Sequence, residues 1–270
     1  MNWRADCRAL LTPTLMFLAA ASAAAQTTTP PVEEVLAHAR AHVAATLATL
    51  PSVFCDEKIS STEIHNGRVF RSMTFDSVIS VRKKSSGEDS LTESREVRLV
   101  NGKPPKEGKK YVLPITINGG FGLLFNSFLS SAYDKCNTYR IMSSGDSTGN
   151  LLGLEVTRKA DSKKIAGCET LSESAVDRFW LDPASYEIQR IETMARIPNN
   201  SQGFKIVTGR NDFATVQFGT KSYLLPASAR VNVTMEPESS EGFAFDAHYS
   251  NCHKFEVSSS ILSDSVEEPR

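Results

Sequence analysis

The spacing of apolar residues is helical near the N-terminus and alternating over most of the remaining chain. Between residues 32 and 50 the apolar positions recur every three or four residues, which predicts one amphipathic helix that ends at Pro51. From residue 52 onward apolar and polar positions alternate, as they do in strands that bury one face. Within this region the clearest strands are predicted at residues 69–81, 91–100, 138–142, 151–158, 176–182, 186–197, 204–218, 223–235 and 243–257.

One apolar segment interrupts the alternation. Between Gly120 and Asp134 the apolar residues return to helical spacing, which predicts a second helix. About ten strands joined by short polar turns, with two helices, indicate a mainly β (α+β) fold. We expect a curved antiparallel sheet or incomplete barrel with the N-terminal helix and the inserted apolar helix on its concave face. The candidate lining of an apolar cavity there is Val69, Met73, Phe75, Ile79, Phe121, Leu124, Phe125, Phe128 and Leu129.

The first 25 residues have the features of an export signal. Arg4 and Arg8 precede an apolar stretch at residues 9–21, and an Ala-Ala-Ala sequence ends at Ala25. We expect cleavage after Ala25 and a single β-rich domain over residues 26–270, periplasmic or secreted and soluble. No later stretch is long and apolar enough to predict a transmembrane helix in the mature chain.

Four cysteines follow the signal: Cys55, Cys136, Cys168 and Cys252. An even number in an oxidising compartment predicts two disulfides, although three pairings and buried free thiols remain open. We favour Cys136 with Cys168, because the two strands predicted between them can form a hairpin. This leaves Cys55 with Cys252, a pair that requires a β-bulge because Cys252 is out of phase with the apolar residues of its strand.

No familiar catalytic motif is present. The chain lacks a nucleophile elbow, a Walker loop, a dinucleotide fingerprint and an H-E-x-x-H helix, so we expect no catalytic residue, cofactor or metal. His38 and His42 have metal-ligand spacing on the first helix but lack a third ligand nearby. Four carboxylates are candidates for acid–base chemistry, but their spacing is not diagnostic: Glu93, Glu96, Asp177 and Asp182.

Charge argues against nucleic acid as a partner. The chain has 30 Lys and Arg against 31 Asp and Glu, so no net positive field would attract a polyanion. Two short basic stretches, residues 82–84 and 103–110, could contact anionic lipid or an acidic partner. Solvated loops account for both stretches more simply.

The most informative run covers residues 179–192. An aromatic strand ends at Leu181-Asp182-Pro183, where proline favours a turn, and a return strand Ile188-Gln189-Arg190-Ile191-Glu192 follows. This hairpin, together with the order of signal, helix and long strands, resembles the LolA/LolB-like periplasmic proteins, which are lipoprotein carriers and their relatives. The resemblance implies an incomplete barrel that encloses an apolar cavity for acyl chains.

These observations lead to three functional hypotheses. The first is an exported, non-enzymatic protein of the cell envelope that binds a hydrophobic ligand, such as a lipid or a lipoprotein acyl chain. The second is a structural or protein-interaction module with an envelope protein as partner, in which the core is filled and no cavity exists. The third is a hydrolase with a dispersed site.

Overall fold

A computed structural model describes residues 30–83, 91–117, 129–142, 150–168, 174–199, 203–236 and 240–255. Helix α1 spans Val32–Thr49, and the short 3₁₀ turns are Ser131–Tyr133 and Ser162–Lys164. The strands are β1 Val53–His65, β2 Arg68–Lys83, β3 Leu91–Val100, β4 Asn137–Ile141, β5 Leu152–Arg158, β6 Val176–Leu181, β7 Ile188–Asn199, β8 Gly203–Phe218, β9 Lys221–Glu236 and β10 Gly242–Lys254.

The ten strands form one open antiparallel sheet in the order β3-β2-β1-β10-β9-β8-β7-β6-β5-β4. Every sheet neighbour except one is also a neighbour in sequence, as expected for strands joined by short turns. The exception is the pair β1 and β10, which joins the N-terminal hairpins to the later strands. The predicted mainly β fold with an open antiparallel sheet and an N-terminal helix is confirmed.

Helix α1 covers the half of the sheet that contains β5 to β9. Pro31 precedes it, and Glu33 and Glu34 place negative charge in the first turn, which favours the helix dipole. We call the sheet face that α1 covers the inner face. The residues buried between α1 and this face include Val35, Leu36, Ala39, Val43 and Leu47 of the helix and Leu154, Val156, Phe179, Leu181, Ile188, Ile191, Phe213 and Leu224 of the sheet.

A loop covers the inner face over β1, β2, β9 and β10. This loop follows β3, and its Leu113 is buried among Ile59, Phe75 and Phe245. The hydroxyl of Ser61 donates to the carbonyl of Ile115 at 2.9 Å and accepts from its N–H at 3.0 Å. The pair of bonds satisfies both groups of Ile115 and fixes the loop to β1.

The predicted inserted helix is not supported. Its residues Phe121, Leu124, Phe125 and Phe128 lie outside the described residues. The described part of the segment, from Leu129, contains a 3₁₀ turn and no α-helix.

The predicted lining residues that the structure describes are spread over different parts of the sheet. Leu129 packs in the cluster with α1 and β5 to β9, whereas Met73 and Phe75 belong to the cluster under the loop, and Ile79 to a third cluster. Met73, Phe75 and Ile79 lie on β2, and β1 and β10 separate β2 from β9, the nearest strand of the cluster that contains Leu129. Val69 is 66% exposed, because it lies where β2 extends beyond its pairing with β3, which begins at Phe75.

Both predicted disulfides are present, Cys55–Cys252 and Cys136–Cys168. The required bulge is also present, since the β1–β10 register shifts between Phe54 and Asp56 and Asn251 has a φ of 47°. The pairs fit an oxidising compartment. Among the described residues, no helix has the length and apolar character needed to cross a membrane.

Candidate ligand-binding site

A cleft of about 430 Å³ opens between the N-terminal half of α1 and the edge strand β4. One wall is helical, and the other comes from β4 and the residues on either side of the β4–β5 hairpin. The lining residues are Val32, Glu33, Leu36, Ala37, Arg40, Asp134, Asn137, Thr138, Tyr139 and Lys159.

The helical wall of the cleft changes from apolar to charged along its length. Val32 and Leu36 are one turn apart, and Ala37 is exposed beside them. One further turn along the helix brings Arg40 to the same wall. The cleft therefore offers an apolar surface that carries the carboxylate of Glu33 in its first turn and ends at a guanidinium group.

Arg40 joins α1 to the opposite wall. Its guanidinium forms an ion pair with Asp134, its Nε donates to the carbonyl of Leu129 at 2.6 Å, and it lies 5.6 Å from the centre of the Tyr139 ring. The Tyr139 hydroxyl also donates to Asp134 Oδ1, at 2.8 Å. Burial raises the pKa of Asp134, but the hydrogen bonds from Arg40 and Tyr139 outweigh it and lower that pKa. Asp134 is therefore ionised at neutral pH.

A buried polar chain continues behind the cleft. Arg158 donates to Asn137 Oδ1 at 2.5 Å and to Asp177 Oδ2 at 3.3 Å, and Thr193 donates to Asp177 Oδ1 at 2.8 Å. Asp177 has no exposed surface. Burial raises the pKa of Asp177 to about 6, although Thr193 and Arg158 act in the opposite direction.

A second polar cluster lies under the loop at the other end of the inner face. Glu57 is buried, and its two oxygens accept from Arg95 at 2.5 and 2.8 Å, while Ser77 donates to it at 2.7 Å. Burial, and then the negative charge of Glu57, raise the pKa of Tyr249. This cluster is a satisfied ion pair within the core, because its carboxylate has no contact with solvent.

The structure gives the other candidate residues structural positions. Asp182 accepts from the N–H groups of Ala184 and Ser185 at 2.9 and 2.8 Å, and the bond from Ser185 lowers the pKa of Asp182. His38 stacks on Tyr186 at a ring distance of 5.0 Å, so α1 contacts the turn that follows β6. The described residues contain no group of three side chains placed to hold a metal ion.

Glu93 and Glu96, the remaining candidate carboxylates, both lie on the edge strand β3. Glu96 is exposed there. Neither residue lines the cleft beside α1.

Arg40, Asp134 and Tyr139 are not among the residues predicted from the sequence. One signal was available, because Arg40 is four residues after Leu36 and three before Val43, on the apolar stripe of α1. A charged residue on such a stripe must reach a partner, and here the partner is Asp134.

No family model and no curated protein matches the chain. Among solved structures, the chain is similar to the Pseudomonas aeruginosa MucA/MucB complex, with 8% sequence identity and a TM-score of 0.23. The similarity covers 82% of this chain and 99% of that chain. At this identity and TM-score the similarity carries no argument about function.

Proposed function

We propose that the protein is a non-enzymatic, exported protein of the cell envelope that binds an amphipathic ligand in the cleft between α1 and β4. The ligand class is a lipid or the acyl chain of a lipoprotein. The observation that carries the proposal is the change along one cleft wall from Val32, Leu36 and Ala37 to the charged Arg40. An apolar chain would lie along the first part, and a polar headgroup would lie beside the second.

The size and charge of the cleft support this ligand class. Its volume of about 430 Å³ is in the range of small-molecule sites. Lys159 also lines the cleft, and its Nζ donates to the backbone carbonyl of Asp134 at 2.9 Å. At one end of the site a carboxylate or phosphate headgroup would meet two cationic side chains, Arg40 and Lys159, against one carboxylate, Asp134, which pairs with Arg40.

The environment of Asp177 supports binding over hydrolysis. Asp177 is the carboxylate with the raised pKa near the cleft, but it is fully buried and both of its oxygens accept hydrogen bonds. A general acid or base must come within hydrogen-bond reach of its substrate. The burial of Asp177 suits a structural role in holding Arg158 and Thr193.

The proposal is tested by filling the cleft from the helix side. Ala37 is exposed and lines the cleft, so Ala37→Trp places an indole ring in it without removing a core side chain. Ala44→Trp is the matched control, because Ala44 is exposed on the same helix and does not line the cleft. The probe is dansyl-labelled undecanoic acid, followed by its fluorescence on titration with protein purified without added lipid.

We expect the wild type and Ala44→Trp to bind the probe equally and Ala37→Trp to bind at least about tenfold more weakly, a difference of about 1.4 kcal/mol. Absence of binding by the wild type would refute the proposal. Equal binding by Ala37→Trp would refute the assignment of the ligand to this cleft.

A filled-core interaction module is the second candidate. It is favoured by the inner face of β1, β2 and β10, where Leu113 of the loop packs on Ile59 and Phe75. If side chains fill the whole inner face in this way, the wild type binds no probe. An envelope protein is then the expected partner.

A further inference from the structure

We propose that one end of the sheet, which we call the hairpin tip, docks on an anionic membrane surface. The hairpin tip consists of the β1–β2 turn and the loop beside it. Its apolar residues are Val69, Phe70 and Val112, and its basic residues are Arg68, Arg71, Lys103, Lys106, Lys109 and Lys110. The inference does not depend on the cleft beside α1, which is at the other edge of the sheet.

Large apolar side chains are unusually exposed at this end. Val69 is 66% exposed, Phe70 is 68% exposed, and Val112 of the loop is 65% exposed. They are the three most exposed of the six large apolar residues that are exposed in the described part of the chain. A cluster of exposed apolar residues on a protein surface is typical of an interaction site.

A bulge turns Phe70 out of the regular pairing. In the pairing of β2 with β1, Val69 lies opposite Ile64 and Arg71 lies opposite Glu63. Phe70 is therefore an extra residue of β2 with no partner position on β1. The Phe70 ring stacks on His65 at 4.5 Å. His65 and Ile64 are successive strand residues and point to opposite faces, so Phe70 and Val69 also lie on opposite faces of the hairpin.

The loop is attached to the hairpin and adds its positive charge there. Arg71 donates to the carbonyl of Val112 at 2.6 Å, which connects the two segments directly. The backbone N–H of Lys106 donates to the Tyr111 hydroxyl at 3.2 Å, and Lys109 lies 5.1 Å from the centre of the Tyr111 ring. Because Lys109 to Val112 are consecutive, the bond from Arg71 places this end of the loop, with its lysines, next to the hairpin.

Charge at the hairpin tip favours an anionic partner. The tip has six basic side chains, whereas the acidic side chains within the turn and the loop or bonded to them are Glu63, Glu107 and Glu241. The chain as a whole has slightly more acidic than basic residues, so the excess of positive charge is local. Clustered lysines and arginines near a bilayer are attracted to anionic lipids.

The arrangement of the apolar residues favours a bilayer over an acidic protein. A folded partner covers one side of a hairpin, and the apolar residue on the other side would stay in water. Val69 and Phe70 lie on opposite sides, and both are exposed. The interfacial layer of a membrane surrounds an inserted tip and can therefore receive both side chains at once.

The test is co-sedimentation of the purified protein with vesicles. One set contains phosphatidylglycerol and phosphatidylcholine in equal amounts, and the other contains phosphatidylcholine alone. The variant Val69→Ser/Phe70→Ser removes the apolar tip, and its matched control is Ile197→Ser, an exposed apolar residue on β7. The variant Lys109→Glu/Lys110→Glu reverses charge at the tip, and its control is Lys163→Glu/Lys164→Glu, an exposed lysine pair in a 3₁₀ turn.

We expect the wild type and both controls to bind the anionic vesicles, and high salt to reduce this binding. Each tip variant should bind at least about tenfold more weakly while keeping the circular dichroism spectrum of the wild type. Lack of binding to anionic vesicles, or equal binding to both vesicle sets, would overturn the proposal. So would tip variants that bind as the wild type does, or binding to soluble polyglutamate but not to vesicles.

This experiment can fail independently of the cleft proposal. The tip variants are expected to bind dansyl-labelled undecanoic acid as the wild type does, because no tip residue lines the cleft. Vesicle binding is likewise expected to be unchanged in Ala37→Trp.

Discussion

Replacing Asp177 with asparagine should change how the stability of the protein depends on pH. The ordinary pKa of the group is 3.8, and burial raises it to about 6 in the folded protein. The folded state therefore holds this proton more tightly than the unfolded state does. The group stabilises the fold when it is protonated, and that contribution is lost as the pH rises from about 4 to about 6. At 1.36 kcal/mol per pKa unit, the loss is about 3 kcal/mol.

The measurement is urea unfolding of the wild type and Asp177→Asn at a series of pH values across this window. The free energy of unfolding of the wild type, minus that of the variant, should fall by about 3 kcal/mol as the pH rises, because the amide does not titrate. Taking the difference removes the contribution of the other carboxylates. Asp182→Asn is the control, since the pKa of Asp182 is lowered below 3.8 and its difference should stay flat across this window and change, with the opposite sign, only below about pH 4. A difference for Asp177→Asn that is constant or rises with pH would refute the reasoning.

Two further predictions concern the buried ion pair and one disulfide. Arg95→Met should lower the free energy of unfolding by about 3–5 kcal/mol, because it leaves Glu57 charged and buried without its partner, and adding Glu57→Gln should restore most of the loss in urea unfolding. Cys136→Ser/Cys168→Ser should lower the free energy of unfolding by about 3–4 kcal/mol in the same measurement, because the disulfide joins residues 32 apart and restricts the unfolded chain. A change near zero would contradict this loop-entropy argument.

The strands could be predicted from sequence because most of them bury one face. In such a strand the alternation is visible in the residues themselves, and the observed bounds of β3, Leu91–Val100, match the prediction. The turn at Asp182 is also local chemistry, since the side chain accepts from backbone N–H groups two and three residues later. Both features depend on neighbours in sequence.

The alternation of apolar and polar residues fails where other parts of the protein cover both faces of a hairpin. Tyr223, Leu224 and Leu225 are successive and all buried. Leu224 packs with α1, whereas Tyr223 and Leu225 pack with Leu50 and other residues near the start of β1. The two clusters come together only in the tertiary structure, so no local period could predict them.

The cleft could not be predicted for the same reason. It is formed by α1 and by residues about a hundred positions later, with the ion pair of Arg40 and Asp134 across it. Local sequence shows an arginine on an apolar stripe, but it does not show which carboxylate lies opposite. The exposure of Val69 likewise depends on where β3 stops pairing with β2.

The outer face of the sheet limits where a hydrophobic ligand can bind. On seven successive strands the residues that pair directly across that face are charged, and several also form ion pairs, as Arg230 does with Asp246 at 2.6 Å. Such a row keeps the outer face hydrated, so an apolar chain would lose more than it gains there. This favours the inner face and the sheet edges over the outer face for hydrophobic contacts, and the proposed cleft lies at the β4 edge. The row is Arg140, Glu155, Arg178, Glu192, Arg210, Arg230 and Asp246.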